Sequence, residues 1–240
     1  MNRDIRVYED NPAVARSFAE FLMVFTKSKA KITIALSGGS TPKLLFDLLA
    51  KEYQGQINWQ AIHLFWGDER CVPPDHEESN YGMTRALLFD HIDIPEGNIH
   101  RVLGEDDPEQ EAARYGKLIT EVCEDRNGLP SFDLMILGMG DDGHTASIFP
   151  HQMELLQDDR ICAVATHPTS GQKRVTINGP TLNNSDTVAF LITGEKKAQK
   201  VVTALNPMAD HSDIPAAHIT GRDQLWFLDE GAAKLLKWSN

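Results

Sequence analysis

Apolar and polar positions along this chain follow two alternating rhythms. Short β-rich runs stand at IRVYE (5–9), KITIALSGG (31–39), AIHLFWGDER (61–70) and FDLMILGMG (132–140), the last being the most apolar. ICAVAT (161–166), RVTIN (174–178), TVAFLIT (187–193) and LWFLD (225–229) continue the series. Between them the period lengthens toward that of a helix. Apolar residues at 14, 18, 21, 22 and 25 make one stripe from Pro12 to about Thr26. A second helix is expected over TPKLLFDLLAKEY (41–53), with Pro42 suited to the first helical position and Leu44, Leu45, Leu48 and Leu49 on one face. Further helices are expected over 79–92, with Ser79 as N-cap, over 108–125, from near Gly194, and over 230–237.

Near-continuous apolar strands alternating with helices predict an α/β fold: a Rossmann-like, mainly parallel sheet with helices on both faces. No linker, repeat or composition break divides the chain, so one domain over residues 1–240 is expected. In such folds ligands sit at the carboxyl ends of strands. The chain's charged and glycine-rich loops fall at those ends.

Composition narrows the partners. With 23 basic against 35 acidic residues the net charge is −12, which argues against nucleic acid or an anionic membrane as partner. A small anionic substrate is compatible with that charge, provided the few basic residues are placed for it. The opening residues MNRDIRVYED do not read as a signal peptide, and no apolar run approaches the roughly 20 residues that span a bilayer. Three scattered cysteines (Cys71, Cys123, Cys162) make no disulfide framework, so a cytoplasmic location is expected.

Four loops carry candidate chemistry. In LSGGSTP (36–42), Gly38 and Gly39 permit a sharp turn, and Ser40 or Thr41 can cap the following helix, whose free N–H groups suit an anion. The spacing fits neither a Walker A loop nor a nucleophile elbow. A plain tight turn is the alternative. In WGDERCVPP (66–74), Asp68, Glu69 and Arg70 are consecutive charges at the ligand edge; Arg70 could grip a phosphate or carboxylate, or all three could be solvated. In the last third, Arg174 begins a strand while Lys196 and Lys197 open a helix, where the dipole disfavours cations unless an anion is near.

The fourth loop, ILGMGDDGHTASIFP (136–150), contains Gly138-x-Gly140-x-x-Gly143, the pattern of a dinucleotide fingerprint. That fingerprint needs a helix of normal length after its third glycine, which Pro150 interrupts. Asp141 and Asp142 would also meet a pyrophosphate with negative charge. His144 is the informative residue, since imidazole titrates near neutrality and Asp142 could fix its tautomer. Ser147 and Ser40 are nearby hydroxyls with no sign of activation, and water is the simpler nucleophile. The nine histidines show no spacing typical of a zinc or di-metal site.

Taken together, LSGGSTPKLLFDLL, FWGDERCVPP with SNYGMTRALL, LGMGDDGHTASIFP, RVTIN and LITGEKKA resemble the 6-phosphogluconolactonases, in the same order and from about residue 30 to 200. The resemblance implies hydrolysis of 6-phospho-glucono-1,5-lactone to 6-phosphogluconate, with no metal or other cofactor. By the same analogy His144 is the general base and Asp142 its partner. Gly38, Gly39, Ser40, Thr41, Asp68, Arg70, Arg174 and Lys197 would hold the phosphate and ring hydroxyls. The sugar-phosphate lactone is then the partner, and the protein a monomer or small homo-oligomer.

The related glucosamine-6-phosphate deaminases share the Asp-Gly-His, but have a glutamate where this chain has Phe149 and Asp-Glu-Tyr in place of Asp68-Glu69-Arg70. A sugar-phosphate sensor would need a DNA-reading helix-turn-helix, and residues 1–30 offer one acidic helix. Two positions depart from the lactonase pattern or stand unassigned: His151 at the rim, and Asp141, which adds negative charge beside the presumed base.

Overall fold

A computed structural model of the chain describes residues 2–237. The elements in order are β1 (Asn2–Tyr8), α1 (Asn11–Phe25), β2 (Ile32–Leu36), α2 (Ser40–Leu48), β3 (Ile62–Trp66), β4 (Asp68–Arg70), α3 (Asn80–Leu87) and α4 (Pro108–Val122). Then come β5 (Glu124–Arg126), β6 (Leu129–Ser131), β7 (Leu134–Leu137), β8 (Cys162–Thr166), β9 (Lys173–Ile177), α5 (Gly179–Asn183), β10 (Thr187–Ile192), α6 (Ala198–Leu205), β11 (Asp223–Asp229) and α7 (Glu230–Ala233).

The strands' apolar character has a direct cause. β2, β7 and β10 are buried at every position, because helices cover the sheet on both sides. Alternate residues face opposite cores, as a period of two requires. On β7, Leu134 and Ile136 join the helices α1 and α2 through Phe18, Leu22, Leu45 and Phe46. Met135 and Leu137 face α4 and α6 through Tyr115, Ile119 and Val201. Among the described residues no helix is long and apolar enough to cross a membrane.

The main sheet has six strands in the order β1-β11-β10-β7-β2-β3, and every adjacent pair is parallel. From β2 the chain winds outward to β3, whereas from β7 it winds the other way through β10 to β11. The direction reverses between β2 and β7. That reversal opens a crevice at the carboxyl ends of those two strands, where the loops 37–39 and 138–144 diverge.

Several predicted elements change on inspection. The run 61–70 is two strands rather than one. At Gly67 the chain leaves the main sheet, its N–H donating to Leu36 O at 2.8 Å, and β4 pairs antiparallel with β9 in a second sheet, β4-β9-β8. The Tyr115 hydroxyl meets both the N–H and the carbonyl of Trp66 at this departure, at 2.8 and 3.1 Å. The helix over 41–53 begins at Ser40, so Pro42 is its third residue, and it widens into a π-type turn over 49–53. The expected helix over 79–92 ends at Leu87 and gives way to a tight turn, while the final helix covers only Glu230–Ala233. Ser79 does cap α3, accepting from Gly82 N at 3.0 Å. The hairpin of β5 and β6 was not expected.

Candidate active site

Loops from the carboxyl ends of the main-sheet strands, together with residues of the second sheet, enclose one cleft of about 260 Å³. Gly38, Gly39, Ser40, Thr41, Asp68, Arg70, Arg174, Lys197 and His144 all line it. Asp142 stands behind His144 rather than in the wall.

The loop after β2 is shaped by two glycines with different duties. A Cβ on Gly38 would lie 1.9 Å from Oδ1 of Asn80, so only glycine admits that buried amide. Gly39 has φ 112° and occupies the N-cap position of α2 with no side chain to offer. Neither Ser40 nor Thr41 is the cap, contrary to expectation: they are the first two helical residues. The first amides of α2, which have no carbonyl one turn earlier, therefore lack a side-chain cap and lie at the cleft. Thr41 Oγ1 and Thr193 Oγ1 are 2.9 Å apart, joining this loop to the end of β10.

The second sheet supplies the charges. Glu69 is the exception within its triplet, being buried and away from the cleft. Its carboxylate accepts from the amides of Arg70, Asn80 and Tyr81 at 2.7, 2.9 and 2.8 Å and from Ser79 Oγ at 3.2 Å. Burial raises its pKa, opposed by those amide donors. It clamps β4 to the start of α3. Asp68 accepts a 2.6 Å bond from Ser147 Oγ and has Arg174 at 3.9 Å. Ser147 is fully buried in this contact.

Arg70 and Arg174 are register partners across β4 and β9, so two guanidinium side chains leave the same face together. Like charges directly opposite are unfavourable unless an anion joins them. Arg70 donates to the carbonyl of Glu78. Arg174 lies 5.7 Å from the Phe149 ring centre, and burial lowers its pKa against the attraction of Asp68. The Nε of each arginine is buried and, among the described residues, finds no protein acceptor.

The loop after β7 builds the His–Asp pair. His144 Nδ1 meets Asp142 Oδ1 at 2.7 Å, and the same oxygen accepts the His144 amide at 3.0 Å. Burial alone would raise the Asp142 carboxyl, but these bonds and the imidazole's charge outweigh it and hold it down at about 2. With Nδ1 engaged, Nε2 is the nitrogen left for the cleft. The Phe149 ring packs 4.8 Å from the imidazole on its other flank. A Cβ on Gly140 would fall 2.1 Å from His144 Nδ1 and 2.6 Å from Asp142 Oδ1. Gly143 has φ 92°. These glycines thus make room for a histidine and a reversed turn. No α-helix follows directly; Pro150 opens a segment of 3-10 turns over Pro150–Leu156, kinked at Gln152.

Lys197 precedes α6 at the end of a short 3-10 turn, and its ammonium contacts Asp141 Oδ1 at 2.6 Å. The anion that offsets its unfavourable place at a helix start is therefore in the chain itself, and Lys196 takes no part in the cleft wall. His151 stacks on Phe149 with ring centres 5.8 Å apart and is not among the residues that line the cleft. Cys71 is no competing nucleophile, because burial, aided by nearby Glu69, pushes its thiol up to about 11. Among the described residues no cluster of His, Cys, Asp or Glu is arranged to hold a metal ion. Asn80 and Thr193 also line the cleft and were not anticipated. Asn80 follows a recognisable N-cap and Thr193 lies just past the end of β10, but neither has a motif of its own.

The fold and this cleft bring a His–Asp pair together with two arginines and a lysine at the carboxyl edge of a parallel sheet. The chain belongs to the family of glucosamine-6-phosphate isomerases and 6-phosphogluconolactonases, which residues 10–227 match. Within it, the chain is 43% identical over 221 residues to the 6-phosphogluconolactonase of Haemophilus influenzae, covering 91% of this chain and 93% of the relative. The solved 6-phosphogluconolactonase of Trypanosoma brucei superposes with a TM-score of 0.88 at 26% identity, covering 98% of this chain and 99% of that one. A monomeric glucosamine-6-phosphate deaminase superposes at 0.84 with 22% identity, over 97% of this chain and 100% of that one, and there the likeness is one of fold alone.

Proposed function

We propose that this chain is a 6-phosphogluconolactonase, opening 6-phospho-D-glucono-1,5-lactone to 6-phospho-D-gluconate with His144 as general base. One observation carries the reading: the His144–Asp142 pair opens into the same cleft as Arg70, Arg174, Lys197 and the uncapped start of α2. A base and an anion cradle in one cleft suit a substrate with an electrophilic carbon at one end and a phosphate at the other.

In this mechanism a water molecule attacks the C1 carbonyl while its proton passes to His144 Nε2. Asp142, ionised across the neutral range, stabilises the imidazolium through Nδ1–H. Negative charge gathers on the former carbonyl oxygen, and backbone amides of the glycine turns are the available donors. Collapse of the intermediate breaks the bond from C1 to the ring oxygen. That oxygen takes the proton back from His144, leaving an open chain with a carboxylic acid that ionises.

The deaminase reading fares worse at position 149. Phe149 is fully buried against His144 and His151 and cannot relay a proton. Incubation of the protein with the lactone and, separately, with glucosamine-6-phosphate tests the choice. Lactone loss above the spontaneous rate without ammonia release is expected; ammonia release from the amino sugar would reverse the assignment.

A further inference from the structure

Asp141 lies beside the proposed base yet bonds elsewhere. Its carboxylate meets the Lys197 ammonium at 2.6 Å, and the two ends of this pair are unlike. The Lys197 side chain is 22% exposed and lines the cleft, whereas that of Asp141 is 63% exposed on the rim turn and forms no part of the cleft wall. The lysine is built in, and the aspartate reaches over to it. The turn that carries Asp141 runs from Gly140 to Gly143, the latter at φ 92°, so the carboxylate sits on a short exposed loop rather than on a packed element.

We propose that Asp141 is an exchangeable counter-ion that sets the affinity of the cleft: it holds Lys197 between turnovers and yields it to the phosphate of the ligand. The inference rests on the lactonase reading, in which Lys197 holds that phosphate. Lys197 precedes α6, where the helix dipole disfavours a cation, so it needs an anion whether or not substrate is bound. An ion pair this exposed on one side resists separation by no more than about fivefold. A phosphate dianion that also meets Arg70 and Arg174 outweighs a single rim carboxylate. After release, Asp141 takes the ammonium back, and each turnover swaps one anion for another.

The sign of one substitution separates this role from a merely structural one. If Asp141 competes with phosphate, Asp141→Asn frees the lysine and tightens anion binding. If Asp141 only orders Lys197 for binding, the same change loosens it. The experiment is calorimetric titration of the full chain with 6-phosphogluconate and, separately, with inorganic phosphate. It covers the wild type, Asp141→Asn, Lys197→Met and the double variant, with KM for the lactone measured alongside.

Asp141→Asn is expected to bind both probes about three- to fivefold more tightly and to lower KM by a similar factor. In the Lys197→Met background the same change should have no such effect. Unchanged or weaker phosphate binding in Asp141→Asn overturns the proposal, as does a gain that persists without Lys197 or phosphate that binds to neither protein. A wild type that neither hydrolyses the lactone nor binds 6-phosphogluconate sinks the lactonase reading instead. In that case tighter inorganic phosphate binding by Asp141→Asn would still uphold the exchange.

Discussion

A single oxygen, Oδ1 of Asp142, holds His144 twice, accepting from the ring Nδ1 at 2.7 Å and from the backbone amide at 3.0 Å. The second bond fixes the carboxylate relative to the main chain, and the first then fixes the ring relative to the carboxylate. Orientation and tautomer of the imidazole are set by the same atom.

Asp142→Asn keeps the shape of this arrangement but removes the charge that stabilises the imidazolium, and its amide can present a donor where Nδ1–H needs an acceptor. kcat for lactone opening is expected to fall by about 10²- to 10⁴-fold, with KM little changed. Steady-state kinetics on the purified variant checks this. An equal fall in affinity with kcat intact would assign Asp142 to binding.

Gly140→Ala tests the space on which the pair depends. The added methyl would lie 2.1 Å from His144 Nδ1, so the imidazole must move out of its bond with Asp142. Activity is expected to drop at least as far as in Asp142→Asn, while thermal unfolding and binding of 6-phosphogluconate through the phosphate cradle largely persist. Full activity in Gly140→Ala would show that the observed His144 orientation is not the working one.

Acid stability should depend on a pair of histidines that takes no part in the cleft wall. His63 Nδ1 and His100 Nε2 are 3.0 Å apart, and His100 stacks on Phe65 with ring centres 4.4 Å apart. Burial, reinforced by the charges of His63 and Lys31, pushes His100 down to about 4. The unfolded chain takes up a proton there near pH 6.5, whereas the folded chain resists until about pH 4. The unfolded state therefore binds more protons across this window, and stability present above pH 6.5 is lost as pH falls toward 4. Tm measured from pH 7 to pH 4 is expected to decline, and His100→Gln should flatten that decline. An unchanged slope in the variant would place the acid sensitivity elsewhere.

Much of the fold was legible because burial on both faces leaves unbroken apolar runs, as in 132–140 and 187–193. Strand ends were legible too, since Gly38 and Gly138 mark where those runs stop, and the candidate residues beyond them line one cleft. The break at Gly67 was missed because Asp68 and Arg70 extend the alternation of β3 into a strand of another sheet. The hairpin of β5 and β6 had a readable signal in Asn127-Gly128, both with positive φ at 59° and 82°, which is a tight-turn pair between short strands. The partnerships Ser147–Asp68 and Lys197–Asp141 were beyond reach. Periodicity tells which face a residue takes, but it does not tell which loops converge when the strand order reverses between β2 and β7.

The central claim is that His144 takes the proton from water, and the direct measurement is lactone hydrolysis by wild type and His144→Ala with the spontaneous rate subtracted. Calorimetry with 6-phosphogluconate confirms that the variant still binds. The wild type should exceed the background, and the variant should lose about 10²-fold or more in kcat while keeping product affinity. A wild type no faster than the background, or a variant of full activity, would contradict the account.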